Sequence, residues 1–184
     1  RIVRGDIVSS DGRVLATTET DQKGNETRVY PYKNVFCHVV GRVWNSKTGI
    51  ELEQSFPLLT SHVNPLKQLS NQLQGQKNQG DIVVTTLNAK RQQIAYDALG
   101  NQKGAVVAIE PSTGKVLAMV SKPDYDPNTV RSEWDSLVAD EAGNSALLKR
   151  ATQGLYPPGS TFKILTAMEY MRENPSFDKY RYEC

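Results

Sequence analysis

Two unbroken apolar runs, Ala105-Val106-Val107-Ala108-Ile109 and Val116-Leu117-Ala118-Met119-Val120, flank the segment Glu110-Pro111-Ser112-Thr113-Gly114-Lys115. That segment has turn chemistry, since Pro presets φ and Gly supplies a left-handed position. The pattern predicts an antiparallel hairpin, and its continuous apolar character predicts burial on both faces. A hairpin buried in this way needs further layers around it. With 184 residues, 38% of them hydrophobic and 23% charged, the chain has the material for those layers and excludes wholesale disorder. Its 22 basic and 20 acidic side chains leave a net charge of +2, which argues against a nucleic-acid partner. No stretch approaches the ~18 consecutive apolar residues that span a bilayer. Two cysteines, Cys37 and Cys184, are too few for a disulfide scaffold. With only His38 and His62 as imidazoles, no metal site or cofactor is expected.

Upstream, Ile2 to Ala16 reads as two short β-prone runs around Ser9-Ser10-Asp11-Gly12, a hairpin signal. Thr17 to Arg28 is polar and reads as an exposed loop. Cys37 and His38 read as a half-buried strand pair, and Trp44 and Trp134 as packing residues. Leu66, Leu69 and Leu73 recur at helical spacing after Pro65, predicting a short amphipathic helix. Ile82 to Thr86 reads as a strand. Asn88 then caps a helix with Ile94, Ala95, Ala98 and Leu99 on its apolar face and Gly100 as its stop. Asp124, Asp126 and Asp135 read as a solvated loop with Asx turns, and helical segments are expected around Trp134 and Asn144. A domain boundary is expected near Gly75 to Gly80, separating residues 1–80 from 81–184. Because Arg1, not Met, opens the chain and Cys184 closes it in a polar run, the chain is expected to be part of a longer polypeptide.

One tetrapeptide carries chemistry. Ser160-Thr161-Phe162-Lys163 follows Pro157-Pro158-Gly159 and precedes the apolar positions Ile164, Leu165, Met168 and Met171, so a core-packed helix is expected to begin at Ser160. A serine hydroxyl needs a base to become a nucleophile, and residues three apart on a helix lie within side-chain reach. A structural cap would place Glu or Gln where Lys163 stands. Near the positive end of the helix dipole a cation is disfavoured, so Lys163 suits a general base better than a stabilising role. The dipole also favours negative charge developing on Ser160. Ser-x-x-Lys recurs at Ser112–Lys115 and Ser176–Lys179, but those copies sit in a turn and in a polar tail.

The blocks Ile109 to Ser121, Pro123-Asp124-Tyr125-Asp126-Pro127-Asn128, Arg150-Ala151 and Tyr156 to Lys163 together resemble the start of the transpeptidase domain of penicillin-binding proteins. Arg4-Gly5-Asp6-Ile7, with Gly12 and Leu15-Ala16, resembles the first motif of the class B, monofunctional members. Two departures stand out: Ser9-Ser10 replaces the usual Asp-Arg pair, and Lys149 replaces the usual Asn before Arg150. The resemblance implies an α+β chain. Its β-rich, non-catalytic pedestal (1–80) would precede the helix, hairpin and nucleophile helix of the transpeptidase domain (81–184).

It further implies that Ser160 attacks the penultimate D-alanine carbonyl of a peptidoglycan stem peptide, with Lys163 as base and the Ser160 N–H as an oxyanion donor. An amine of a neighbouring stem would accept the acyl group, and β-lactams would acylate the same serine. The resemblance also implies a bacterial membrane anchor, an extracytoplasmic location and other cell-wall synthesis proteins as partners. Two alternatives remain open: a class D-like β-lactamase or β-lactam sensor, and a non-catalytic scaffold or binding module. The family's Ser-x-Asn and Lys-Thr-Gly motifs do not occur after Lys163, and Lys47-Thr48-Gly49 lies upstream in a turn-rich stretch, where it reads as coincidence.

Overall fold

The computed structural model describes residues 2–141, 143–179 and 181. It divides into two compact units, Arg1–Gly154 and Leu155–Cys184. In the first unit, strands β1 (Ile2–Val3), β2 (Ile7–Val8), β3 (Val14–Thr20) and β4 (Glu26–Val29) lead through a 3-10 turn, Lys33–Phe36, into four short helices. These are α1 (Cys37–Val40), α2 (Gly49–Glu53), α3 (Ser55–Leu58) and α4 (Pro65–Leu73). Then come β5 (Asn78–Gln79), β6 (Val83–Val84), α5 (Ala89–Leu99), the hairpin β7 (Gly104–Ile109) and β8 (Val116–Lys122), α6 (Val130–Ala139) and α7 (Arg150–Gln153).

β2, β3, β4 and β6 form one sheet in the order β4-β3-β2-β6, with β6 parallel to β2. β1 pairs with β5 in parallel, and β7 pairs with β8 antiparallel. Residues 2–8 are therefore threaded against residues 78–84. The division of packing falls at Gly154 and does not coincide with the sequence boundary near Gly80.

What secures this threading is a buried carboxylate. Glu51 on α2 is fully buried between two guanidinium groups, with Arg4 Nε 2.6 Å from Oε2 and Arg28 Nε 2.7 Å from Oε1. Arg4 also donates to the Glu51 carbonyl, while Arg28 donates to the Gly5 carbonyl (2.8 Å) and to the Thr18 hydroxyl (3.0 Å). One Arg28 nitrogen, Nη2, stays buried without an acceptor. Taking these charges out of water is costly, so the three groups persist only as a set. Gly5 completes the junction. Its N–H donates to the Leu58 carbonyl (2.9 Å), and a Cβ at this position would lie 2.0 Å from the Asp81 carbonyl oxygen.

The Ser9–Gly12 turn reaches the other way. Ser10 donates through its N–H (2.7 Å) and hydroxyl (3.0 Å) to the Leu87 carbonyl, and Asp11 Oδ1 accepts the Ala89 N–H (2.9 Å). That last bond is the largest influence holding the Asp11 carboxyl below its ordinary pKa. Asn88 caps α5 as expected, its side chain accepting the Arg91 N–H. Between these junctions lies the main core, which includes Ile7, Leu15, Tyr30, Phe36, Val40, Leu58 and Leu87. A smaller cluster gathers Cys37, Tyr125 and Val130, with Trp44 and Trp134 packed against it edge to face, 5.5 Å between centroids. Both tryptophans pack, as expected.

Several expectations are corrected. Thr17 to Arg28 is not a loop: it pairs as the β3–β4 hairpin, Thr18 opposite Arg28. The threonines are β-branched and strand-compatible, and their polarity reflects a sheet with a solvated side. Cys37 and His38 lie on helix α1, not on strands, and both are buried. Of the run Ile82–Thr86, the strand itself is Val83–Val84, with the Thr85 N–H donating to the Val8 carbonyl at 2.8 Å. On α5 the fully buried residue is Gln92, while Ile94 is exposed. On β7 alternate residues Ala105, Val107 and Ile109 are exposed, so burial on both faces does not hold for that strand. Helix α4 forms, but Leu66, Leu69 and Leu73 are exposed on it. Cys184 lies outside the described residues.

Two measurements check this account. Glu51→Ala leaves two buried guanidinium groups without their carboxylate and is expected to lower stability in urea by about 3–5 kcal/mol. Substituting exposed Glu19 is expected to change it by less than about 0.5 kcal/mol. Separately, burial holds the His38 imidazole below its ordinary pKa, against the opposing effects of the Pro123 carbonyl and Asp124. Folding therefore keeps His38 neutral, whereas the unfolded chain takes up a proton near pH ~6.5. Its stabilising contribution is full above that pH and is lost as pH falls below it toward the depressed native value. Urea unfolding near pH ~7.5 and ~5.5 should show a smaller loss of stability in His38→Gln than in the parent chain.

Candidate active site

The part of the first unit that precedes the Ser160 motif in sequence is held by polar clamps set into apolar packing. Gln92, fully buried on α5, donates through Nε2 to the Val35 and Met119 carbonyls and accepts the Met119 N–H on Oε1, each at 2.8 Å. One side chain thus locks α5, the 3-10 turn before α1, and β8 together, and all its hydrogen-bonding groups on that side are satisfied. On β8, buried Ser121 accepts the Ala151 N–H through Oγ at 3.0 Å, fixing α7 onto the hairpin. Arg150, also buried, donates to the Ser145 (3.0 Å) and Asn144 (2.6 Å) carbonyls. These bonds give Arg150-Ala151 its local role, pinning the loop that follows α6.

Within the preceding loop, Asp126 Oδ1 accepts from the N–H and side chain of Asn128, the Asx geometry expected there. Asp124 instead accepts from Asn34 (2.8 Å), and His38 Nε2 lies 3.1 Å from the Pro123 carbonyl, so that nitrogen donates.

The second unit carries the nucleophile motif. Gly159 has φ +55°, a conformation that L side chains rarely adopt, and it opens a 3-10 turn, Gly159–Thr161. Helix α8 (Phe162–Glu173) follows directly. The Thr161 hydroxyl turns back to the Pro158 carbonyl, and no side chain caps the helix. Ser160 therefore sits in the turn just ahead of α8, one residue earlier than a simple cap would stand, and Lys163 is the second helical residue. In a 3-10 turn, residues three apart eclipse one another. Both side chains are exposed, and no hydrogen bond joins them among the described residues.

A groove of about 430 Å³ beside Lys163 is lined by Thr166, Ala167, Tyr170, Met171 and Phe177. The expectation that α8 is packed in a core is corrected: Ile164, Leu165, Met168 and Met171 are exposed. A lone helix has no second layer within its own unit to cover that face.

Of the other Ser-x-x-Lys copies, Ser112–Lys115 falls in the exposed β7–β8 turn as expected, whereas the one read as a polar tail forms a 3-10 turn, Phe177–Lys179. Lys47-Thr48-Gly49 has a structural explanation. The Thr48 hydroxyl accepts the Arg42 N–H (3.2 Å), and Lys47 donates to Ser55 (3.0 Å) at the start of α2 and α3. Sequence reasoning missed Glu51, Gln92 and Ser121 entirely, because a polar residue's burial leaves no mark on local periodicity. Among the described residues no cluster of three His, Cys, Asp or Glu side chains could hold a metal ion. No described helix is long and apolar enough to cross a membrane.

Comparison with known proteins bears on the family and the fold. Residues 104–180, from β7 through α8, match the family model of the penicillin binding protein transpeptidase domain. The peptidoglycan D,D-transpeptidase PbpA of Mycolicibacterium smegmatis is 38% identical over 176 residues, covering 86% of this chain and 35% of that protein. MrdA of Escherichia coli K12, also a peptidoglycan D,D-transpeptidase, is 32% identical over 182 residues, covering 79% of this chain and 28% of its own length. The chain thus spans about a third of the length of these curated relatives. Among solved structures, penicillin-binding protein A from M. tuberculosis in its imipenem acyl-enzyme complex superposes with a TM-score of 0.79 at 36% identity. That match covers 92% of this chain and 42% of the other. With fold, motif order and sequence in agreement over most of its length, this mixed helix-and-sheet chain belongs to the penicillin-binding protein transpeptidase family and spans part of it.

Proposed function

We propose that the protein to which this chain belongs is a class B, serine-type peptidoglycan D,D-transpeptidase, with Ser160 as nucleophile and Lys163 as general base. The observation that carries this reading is the placement of Ser160 in the turn ahead of α8 with Lys163 three residues on, inside the matched segment. Ser160 Oγ attacks the carbonyl carbon of the penultimate D-alanine while Lys163 takes the hydroxyl proton. The bond to the terminal D-alanine breaks, and that proton passes to the departing amine. The acyl-enzyme ester is then attacked by an amine of a neighbouring stem peptide, which restores the serine hydroxyl.

The first turn of a helix leaves backbone N–H groups without intrahelical acceptors and carries the positive end of the dipole. The Ser160 N–H is accordingly suited to donate to the oxyanion of the tetrahedral intermediate. A β-lactam carbonyl is opened by the same attack and leaves a covalent adduct. In this reading residues 1–80 are the pedestal and residues 81–184 open the catalytic domain. A membrane anchor outside this sequence holds the protein on the extracytoplasmic face of a bacterial membrane, among other proteins of cell-wall synthesis.

Ser-x-Asn and Lys-Thr-Gly motifs do not follow Lys163 in these 184 residues, so the chain by itself is expected to have little or no transpeptidase activity. Labelling with a fluorescent penicillin tests both statements. The complete protein should form a stable adduct, Ser160→Ala should form none, and Lys163→Met should acylate about 10²–10⁴-fold more slowly. Rapid drug turnover by the complete protein would point to a β-lactamase, and efficient labelling of the 184-residue chain would contradict its expected inactivity.

A further inference from the structure

The first unit holds a cavity of about 560 Å³ that shares no residue with the Ser160 motif. It is walled by α1 and α2, by the β6–α5 connection, by β8 and by α7, so it joins residues from both sides of position 80. Its volume falls in the range of small-molecule sites. Three cations line it, Arg42, Lys47 and Lys149, against a single carboxylate, Glu53. Much of the remaining wall is aliphatic, including Ile50, Met119 and Leu147.

Two of the cations have unspent donors. Arg42 is not one of them: it is 7% exposed, its Nη1 donates to the carbonyls of Trp44, Asn45 and Ser46, its guanidinium lies 4.9 Å from the Trp134 ring centre, and its Nε is buried out of reach. Lys149 makes no side-chain hydrogen bond or ion pair among the described residues. Burial lowers its pKa, with the Glu53 charge acting in the opposite direction. Lys47 spends one donor on Ser55. The Tyr125 hydroxyl stands beside Thr48 and Arg42 on the same wall. A half-buried cation without a partner, as Lys149 is, is costly unless an anion meets it.

We propose that this cavity is a binding site for a small amphipathic carboxylate, its anionic head meeting Lys149 in the positive field of Lys47 and Arg42 and its apolar body lying against Ile50, Met119 and Leu147. A monoanionic carboxylate suits the site better than a phosphate dianion, whose larger hydration cost a largely aliphatic wall would not repay. The charge-assisted hydrogen bond from Lys149 supplies the selectivity for the head, and the wall supplies the selectivity for the tail. Because α7 closes one side of the cavity, the ligand would tie the N-terminal segment to the last helix before the Ser160 unit.

Equilibrium dialysis of the purified chain against radiolabelled octanoate tests this, with octanamide and acetate as matched probes lacking the charge or the tail. Octanoate should bind saturably at one site, and each control probe should bind at least about tenfold more weakly. Lys149→Met should weaken octanoate binding about tenfold or more, while Lys149→Arg should hold it within about threefold of the parent chain. Absence of saturable octanoate binding, equal binding of octanamide, or unchanged binding in Lys149→Met would each overturn the proposal. The two probe comparisons need no variant, so a substitution that unfolds the chain does not shield the idea. Penicillin labelling at Ser160 is read separately and bears only on the transpeptidase reading.

Discussion

A carboxylate buried between two guanidinium groups is the constraint on which the first unit depends. Glu51 has no access to solvent, and its two oxygens are held by Arg4 and Arg28, which stand on segments far apart in sequence. No member of the set is stable there alone, because a buried charge that loses its partner pays a desolvation penalty of several kcal/mol. The set therefore acts as a register device. It admits one alignment of the opening strands on α2, and the Gly5 contacts with Leu58 and Asp81 leave that alignment no slack. An apolar replacement of similar volume could match its stability but would not reproduce this directional specification.

From that anchor the order propagates through a succession of polar clamps. β2 sets β6 by parallel pairing, and the Ser9–Gly12 turn grips the Leu87 carbonyl and the Ala89 N–H where α5 begins. Gln92 then fastens α5 to β8, and Ser121 on β8 fastens α7. Gln92 and Ser121 are buried and paired, so they contribute specificity without leaving an unsatisfied group at those contacts, while Ser10 and Asp11 grip from the exposed side. Ser9-Ser10, which departs from the family's usual pair, supplies two of these bonds through Ser10 alone. The packing boundary at Gly154 is a consequence of this continuity. Residues on either side of position 80 share strands and a core, whatever division of labour they have in function.

Legibility followed the range of the interaction. The β7–β8 hairpin, the Asn88 cap, the Gly100 stop, the helix after Pro65 and the helix after Ser160 were all readable, because each is encoded within a few residues. The candidate nucleophile and base were readable for the same reason: a turn, a serine and a lysine three positions on occupy one short stretch. Misreadings arose where local composition was outvoted by distant partners. Thr17 to Arg28 looked like a loop because its strands expose polar side chains, and only their pairing makes them strands. Ile94 looked like the core face of α5, whereas the groups awaiting the helix were the backbone donor and acceptors that Gln92 satisfies.

By itself, the sequence determined the mixed helix-and-sheet character of the chain, the positions of its turns and caps, and the spacing that sets Lys163 three residues after Ser160 at a helix start. These depend on backbone preferences and spacing, which act over one or two turns. Only the tertiary structure decided that Glu51 and Gln92 are buried, that Lys149 and Arg42 converge with Lys47 on one cavity, and that residues 2–8 and 78–84 pair as neighbours. Desolvation is the reason. The energy of a charged or polar side chain depends on which distant groups share its loss of water, and no local pattern carries that information.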